Sequence, residues 1–279
     1  MKNINKPNLF VIGAPKCGTT SIYNYLKLHP DVFLPNIKEL HYFSYPEVLN
    51  TYYDVKIESD LDKYLLWYRE ANHKKIVGDI SPSYLYNDQS AERIKSFNPE
   101  AKVIAILREP IERAISHYLM DFKIGYVNKP LNQILKDSSS YYFKEYIGNG
   151  LYYDKIKHFL EVFGNKMLIL SFKEMQTYPS SFMGKIFSFL EIQPIEIDYS
   201  LKYNSYAHPN TRILYYLRIL KLYKIVNTIT PVFIKDFAKG LIESNKYQKP
   251  NCIYEKKLLQ KFFINDSEQL NKLLGSKLW

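Results

Sequence analysis

The sequence predicts an α/β fold: three layers, α/β/α, with a central, mainly parallel sheet and a helical C-terminal part. Three observations lead there. Short, almost purely apolar runs recur along the chain, and each stops at glycine, a polar residue or a turn signal, as strands buried on both faces do. Stretches with apolar residues at helical spacing stand between these runs, and such alternation is the mark of a parallel sheet covered on both sides. After about Asp198 the apolar runs cease and only helical spacing remains.

The elements follow in order. Leu9-Phe-Val-Ile-Gly13 is an apolar run closed by glycine and reads as a buried strand. Thr19 to Leu28 carries Ile22, Tyr25 and Leu26 at helical spacing, and His29-Pro30 ends it, because the residue before proline avoids the α region. Val32 to Leu34 and Lys75 to Ile80 read as two further strands, and Asp88 to Phe97 as a helix. Lys102-Val-Ile-Ala-Ile-Leu107 is the clearest strand in the chain. Pro110 stands where a helix begins, a favoured place for proline, and Ile111 to Phe122 continues that helix. Within it Arg113 lies four residues after Glu109, the spacing of a surface ion pair. Leu151 to Phe163 is a helix, Lys166 to Ser171 a strand, and Pro179 opens a helix running to Leu190. Residues 199–211 read as a polar loop, followed by helices. Internal repeats and linkers are lacking, so residues 1–279 are expected to form a single domain.

Composition narrows the class. Hydrophobic residues make up 46% of the 279, enough for a sizeable core, and the 42 aromatic Tyr and Phe (26 + 16) argue against disorder. The charge balance, 38 − 28 = +10, suits a polyanionic partner without choosing between nucleotide, nucleic acid and acidic membrane. Cys17 and Cys252 are too few for a disulfide framework, which fits a reducing compartment. The first residues lack the apolar core of a signal peptide, and no stretch is long and apolar enough to span a bilayer, so a cytoplasmic location is expected.

Gly13-Ala14-Pro15-Lys16-Cys17-Gly18-Thr19-Thr20 links the first strand to the first helix. Strand, glycine turn and helix together bind phosphate, because backbone N–H groups converge on the anion and the helix dipole adds positive potential. Gly13 and Gly18 have the separation found in the nucleoside-triphosphatase loop GxxxxGK[ST], so the chain is P-loop-like. The lysine, however, has moved. Thr19 occupies its usual place, and Lys16 lies inside the loop. Such a loop suits a shorter anion better than a metal-bound β,γ-diphosphate.

PKCGTTS after an apolar strand resembles the 5′-phosphosulfate loop of the sulfotransferases that use 3′-phosphoadenosine 5′-phosphosulfate (PAPS). A second segment, Leu107-Arg108-Glu109-Pro110 through Ser116, is similar to that family's other donor signature: a strand ending in arginine, with a serine eight residues on. The resemblance implies that PAPS is the donor and adenosine 3′,5′-bisphosphate the spent product, with no metal. It implies that Lys16, Cys17, Gly18, Thr19, Thr20 and Ser21 hold the 5′ end, and that Arg108 and Ser116 hold the 3′-phosphate. A guanidinium gripping phosphate oxygens bidentately agrees with the second role.

On the acceptor side, Lys38-Glu39-Leu40-His41-Tyr42-Phe43 resembles a segment of glycan sulfotransferases and bacterial relatives. There the glutamate is the proposed general base, so Glu39 takes that role here and His41 is the second candidate. An alcohol attacks sulfur more readily as its proton leaves, which is why such a group is needed. Ser44 stands where some of these enzymes continue with aspartate. Gly78-Asp79-Ile80-Ser81-Pro82-Ser83-Tyr84 resembles a further family segment, with Ile80 in place of a lysine. Asp79 is expected to orient Lys16 or the acceptor, or else to cap a turn.

Residues 204–212 fall where relatives carry a mobile basic loop over the donor, which makes Arg212 a donor contact. Tyr254 to Trp279 resembles the closing helices of bacterial members. The segment 213–239 mixes apolar residues with Arg218, Lys221, Lys224 and Lys235, a pattern of packed helices that also suits contact with an anionic inner membrane surface. The expected reaction is sulfuryl transfer to a hydroxyl or amine, with a glycan or glycolipid as acceptor. A P-loop kinase or NTPase is the enzymatic rival, and it lacks its GK[ST] loop. A basic module for nucleic acid or membrane is the other rival. The informative residues gather in two phosphate-binding segments instead, so nucleic acid is not the expected partner.

Overall fold

A computed structural model describes residues 6–200 and 252–279. Five parallel strands form one sheet in the order β2-β3-β1-β4-β5. They are β1 (Leu9–Gly13), β2 (Val32–Phe33), β3 (Ile76–Ile80), β4 (Lys102–Leu107) and β5 (Met167–Ser171). Each lies where the apolar runs predict, trimmed by a residue at most at either end. The trimming falls where a polar or edge residue needs no ladder partner.

The predicted helices are present as α1 (Thr19–Lys27), α3 (Ser90–Phe97), α4 (Pro110–Ile124), α7 (Tyr153–Phe163) and α9 (Pro179–Leu190). Short helices that the apolar pattern does not announce fill the connections: α2 (Leu61–Leu66), α5 (Leu131–Ile134), α6 (Tyr141–Tyr146) and α8 (Phe172–Thr177). They are too brief for a period of 3.6 to show, and their caps define them instead. Asp60 accepts from the Lys63 N–H at 2.9 Å, and Ser140 from the Phe143 N–H at 3.1 Å. The helix at the C-terminal end, α10 (Ile253–Leu274), follows the residues outside the described range.

The backbone groups into two compact units. The first holds the sheet, with described residues 6–110, 151–200 and 264–279. All five β1 residues and Val103 to Leu107 are buried there. The second comprises described residues 111–150 and 252–263. Its centre is Arg113, which is fully buried and not a surface ion-pair partner. Its Nη2 donates to the Glu145 and Tyr146 carbonyls at 2.9 and 2.6 Å, and Nη1 lies 3.1 Å from His117 Nδ1. The carbonyls at the end of α6 are the negative pole of that helix, so they accept a buried guanidinium well. Spacing alone pointed outward because it carries no information on which helix face is covered.

In a doubly wound parallel sheet, ligands bind beyond the carboxyl ends of the strands, where the connection order reverses. Here β1 lies between β3 and β4. The ends of these three strands carry the predicted phosphate loop, the Ser81 segment and Arg108.

Candidate functional site

The loop between β1 and α1 is shaped by backbone positions few residues tolerate. Gly18 has φ of 81° and Lys16 φ of 69°, both left-handed. At Gly18 a Cβ would also meet Met175 Cε at 2.2 Å and Phe172 Cε2 at 2.9 Å, so α8 presses directly against the turn. Ala14 N–H donates to the Ile106 carbonyl at 2.7 Å, which fixes the loop to β4. Helix α1 starts without a side-chain cap and without an acidic residue in its first turn, so its positive end is open to an anion.

The predicted donor residues differ in how they are presented. Thr19, Thr20 and Ser21 form the first turn of α1. Cys17 is fully buried, and its N–H turns back to the Ala14 carbonyl at 3.2 Å. Cys17 therefore shapes the loop, and its side chain faces the interior. Arg108, at the end of β4, reaches the other side of the same loop: Nη1 lies 3.4 Å from the Lys16 carbonyl. Its guanidinium stacks over the Phe172 ring at 5.0 Å, and the Tyr152 hydroxyl donates to its carbonyl at 3.1 Å. The C-terminal residues brace this edge, since the Ser171 hydroxyl donates to the Leu278 carbonyl at 2.7 Å and Trp279 lies against Tyr152. Ser116 is partly exposed on α4. Arg212, the basic loop around it and the segment 213–239 lie outside the described residues.

Lys38 is the cation that sequence reasoning passed over. Its Nζ donates to Thr19 Oγ1 at 3.3 Å and Thr20 Oγ1 at 3.2 Å, and pairs with Glu39 Oε1 at 2.7 Å. It joins the predicted donor loop to the predicted base. Its only signal in the sequence was adjacency to Glu39, and adjacency does not reveal a contact with residues almost twenty positions earlier.

Glu39 and His41 both take left-handed φ, 67° and 58°, which turns their side chains to one side of the segment while Leu40 is buried. Glu39 Oε2 lies 3.9 Å from His41 Nε2. The other imidazole nitrogen, Nδ1, is 2.7 Å from Ser83 Oγ. Ser83 Oγ is 2.8 Å from Ser44 Oγ, and Ser44 donates to the His41 carbonyl at 3.1 Å. Burial pushes the His41 imidazole below its usual range; Glu39 draws it back up and Lys38 adds to the lowering.

The structure places Asp79 with its carboxylate among buried hydroxyls and not on Lys16. It is buried at 1% exposure, and its carboxylate accepts from Tyr64 at 2.9 Å, Tyr84 at 2.7 Å and Ser81 at 2.7 Å. Burial pushes its carboxyl above the usual range, and the three hydroxyls hold it down. The strand alternation aims Asp79 into the aromatic layer of Phe43, Tyr64 and Tyr84, so it organises the site from beneath. Ser81 completes the link, because its oxygen also accepts the His41 N–H at 3.3 Å.

The family described as "Sulfotransferase domain" matches residues 6–214. The membrane-associated sulfotransferase kil1 of Dictyostelium discoideum is 37% identical over 112 residues, 40% of this chain and 22% of that protein. Human heparan sulfate glucosamine 3-O-sulfotransferase 3B1 is 26% identical over 213 residues, covering 71% of this chain and 49% of its own. The chain thus spans about half or less of the length of these relatives. The crystal structure of a sulfotransferase from Alicyclobacillus acidocaldarius shares the fold, with a TM-score of 0.71 at 24% identity over 99% of this chain and 98% of that one. Among the described residues no helix is long and apolar enough to cross a membrane. With the family match running from before β1 to beyond α9, and the loop, Arg108 and the Glu39 segment meeting at one sheet edge, the chain belongs to the sulfotransferase domain family.

Proposed function

We propose that the protein transfers a sulfuryl group from PAPS to a hydroxyl of a glycan or glycolipid. One observation carries this reading. An open helix terminus with a displaced lysine stands at one sheet edge, and Lys38 connects it through Glu39 to the Glu39–His41 pair. The arrangement suits an anionic donor on one side and a weak nucleophile on the other. The family's use of PAPS supports the donor. The names of the relatives, heparan sulfate glucosamine and carbohydrate sulfotransferases, support a glycan acceptor. The kinase alternative gains nothing from the comparisons, and the loop lacks the lysine that alternative needs.

The roles follow from chemistry. Thr19, Thr20, Ser21 and the N–H groups from Gly18 onward hold the 5′-phosphate, and Cys17 keeps the turn in shape. Lys16 offsets charge growing on the leaving phosphate oxygen as the S–O bond breaks. Arg108 and Ser116 grip the 3′-phosphate, and Arg212 closes over the donor. Glu39 takes the acceptor's proton while the acceptor oxygen forms its bond to sulfur. This is catalysis by positioning and electrostatics, as in phosphoryl transfer. The basic segment 213–239 and the membrane-associated relative support peripheral contact with an anionic membrane face, from the cytoplasmic side.

Thermal shift tests the donor. Adenosine 3′,5′-bisphosphate is expected to raise the melting temperature, while ATP with Mg²⁺ and an oligonucleotide are not. Stabilisation by ATP with Mg²⁺ alone overturns the reading. Turnover of PAPS on a heparan-type oligosaccharide, compared with a simple phenol, tests the acceptor class.

A further inference from the structure

The hydroxyls around His41 can be satisfied in only one way. The His41 carbonyl accepts and cannot donate, so the Ser44 hydrogen is spent on it. Ser44 Oγ must then accept from the Ser83 hydroxyl, 2.8 Å away. With its hydrogen spent, Ser83 Oγ can only accept from His41 Nδ1, 2.7 Å away. In a neutral imidazole one nitrogen is protonated and the other bare. Nδ1 therefore carries the hydrogen, and Nε2 is the bare acceptor. Nε2 faces Glu39 Oε2 at 3.9 Å, and neither atom has a hydrogen to offer the other. The remaining Glu39 oxygen is held by Lys38 at 2.7 Å.

We infer that Ser44 and Ser83 are positioning residues that lock His41 in its Nδ1–H form, so that Nε2 takes over the proton Glu39 removes from the acceptor. The inference rests on the proposed function for its proton-transfer half. The balance is simple. The acceptor O–H bond breaks and its electron pair forms the new O–S bond, the donor's S–O bond breaks with its pair leaving on the 5′-phosphate oxygen, and the proton passes through Glu39 Oε2 to Nε2. The Nδ1–H bond to Ser83 is the same before and after, so the ring gains and loses a proton without rearrangement. Ser44 occupies the place where some glycan enzymes have aspartate. The neutral hydroxyl relay sets the tautomer without adding a negative charge beside Glu39.

The ¹⁵N signals of the ring, assigned with His41→Gln, read the tautomer directly in the full chain. The wild type is expected to show protonated Nδ1 and bare Nε2. In Ser83→Ala the Nδ1–H population is expected to drop by about 10-fold relative to Nε2–H, since one hydrogen bond is lost. Turnover should fall by about 10-fold in kcat at unchanged KM for PAPS, and Ser83→Thr should restore both. Protonated Nε2 in the neutral wild-type ring, or a tautomer ratio untouched by Ser83→Ala, overturns the inference. A wild type with bare Nε2 that transfers no sulfuryl group overturns the proposed function and the proton-transfer half, while the hydroxyl-held tautomer stands.

Discussion

At the scale of single residues, Lys16, Arg108 and Lys38 stand around one loop among the described residues, and each faces it differently. Lys16 is part of the turn itself, held at a left-handed φ of 69° that a lysine adopts only when its surroundings require it. Arg108 approaches from β4 and touches the Lys16 carbonyl. Lys38 approaches from the acceptor side and shares itself between two threonine hydroxyls and Glu39. In the proposed reaction charge on the leaving oxygen develops at the loop, which gives Lys16 the largest task in that scheme. Lys16→Ala is expected to lower PAPS turnover by at least ~100-fold with the melting temperature of the free protein unchanged. Lys38→Ala, which removes a contact to hydroxyls and to the proposed base, is expected to cost about 10-fold. Steady-state kinetics beside calorimetry distinguish the two. A Lys16 variant with wild-type turnover removes that residue from the mechanism.

At the scale of elements, the site depends on what lies under it. Strand β3 points Asp79 into an aromatic layer, where three hydroxyls converge on its carboxylate and a fourth, that of Tyr68, backs Tyr64 at 3.4 Å. Ser81 carries the network to the His41 backbone. A buried acceptor removed from such a network leaves its donors without partners, at about 1–3 kcal/mol each. Asp79→Ala is therefore expected to destabilise the protein by about 3 kcal/mol or more, seen as a lower denaturation midpoint in urea at unchanged slope. A loss below ~1 kcal/mol shows that the hydroxyls find other acceptors. Tyr64, Tyr68 and Tyr84 are among the largest fully buried side chains, so part of the tyrosine excess serves this polar interior.

At the scale of the whole molecule, strand order places the chemistry. Because β1 lies between β3 and β4, three segments far apart in the chain end at one edge of the sheet. The net charge of +10 adds a long-range attraction to anionic donors and to acidic glycans. Salt screens that attraction over about 10 Å at 0.1 M. KM for a sulfated oligosaccharide acceptor is expected to rise several-fold between roughly 0.05 and 0.5 M NaCl, with kcat changing much less. An acceptor KM indifferent to salt argues for a neutral acceptor.

Much of this was legible before folding. Apolar runs located all five strands, because residues buried on both faces of a parallel sheet leave no other pattern. The turn from Gly13 to Thr20 was legible for a related reason: a strand-to-helix turn with left-handed φ at Lys16 and Gly18 restricts residue type locally. What could not be read was any contact made across the chain. Lys38 meets Thr19 and Thr20 only because the turn after β2 folds back over α1. Arg113 goes inward only because α6 ends beside it, and Asp79 is absorbed by Tyr64 of an earlier segment together with Tyr84 of its own. The proton on His41 is assigned by Ser44 and Ser83, some forty residues apart. Local chemistry writes itself into adjacent residues, whereas hydrogen-bond partners and protonation are set by which side chains the packed sheet brings within about 3 Å.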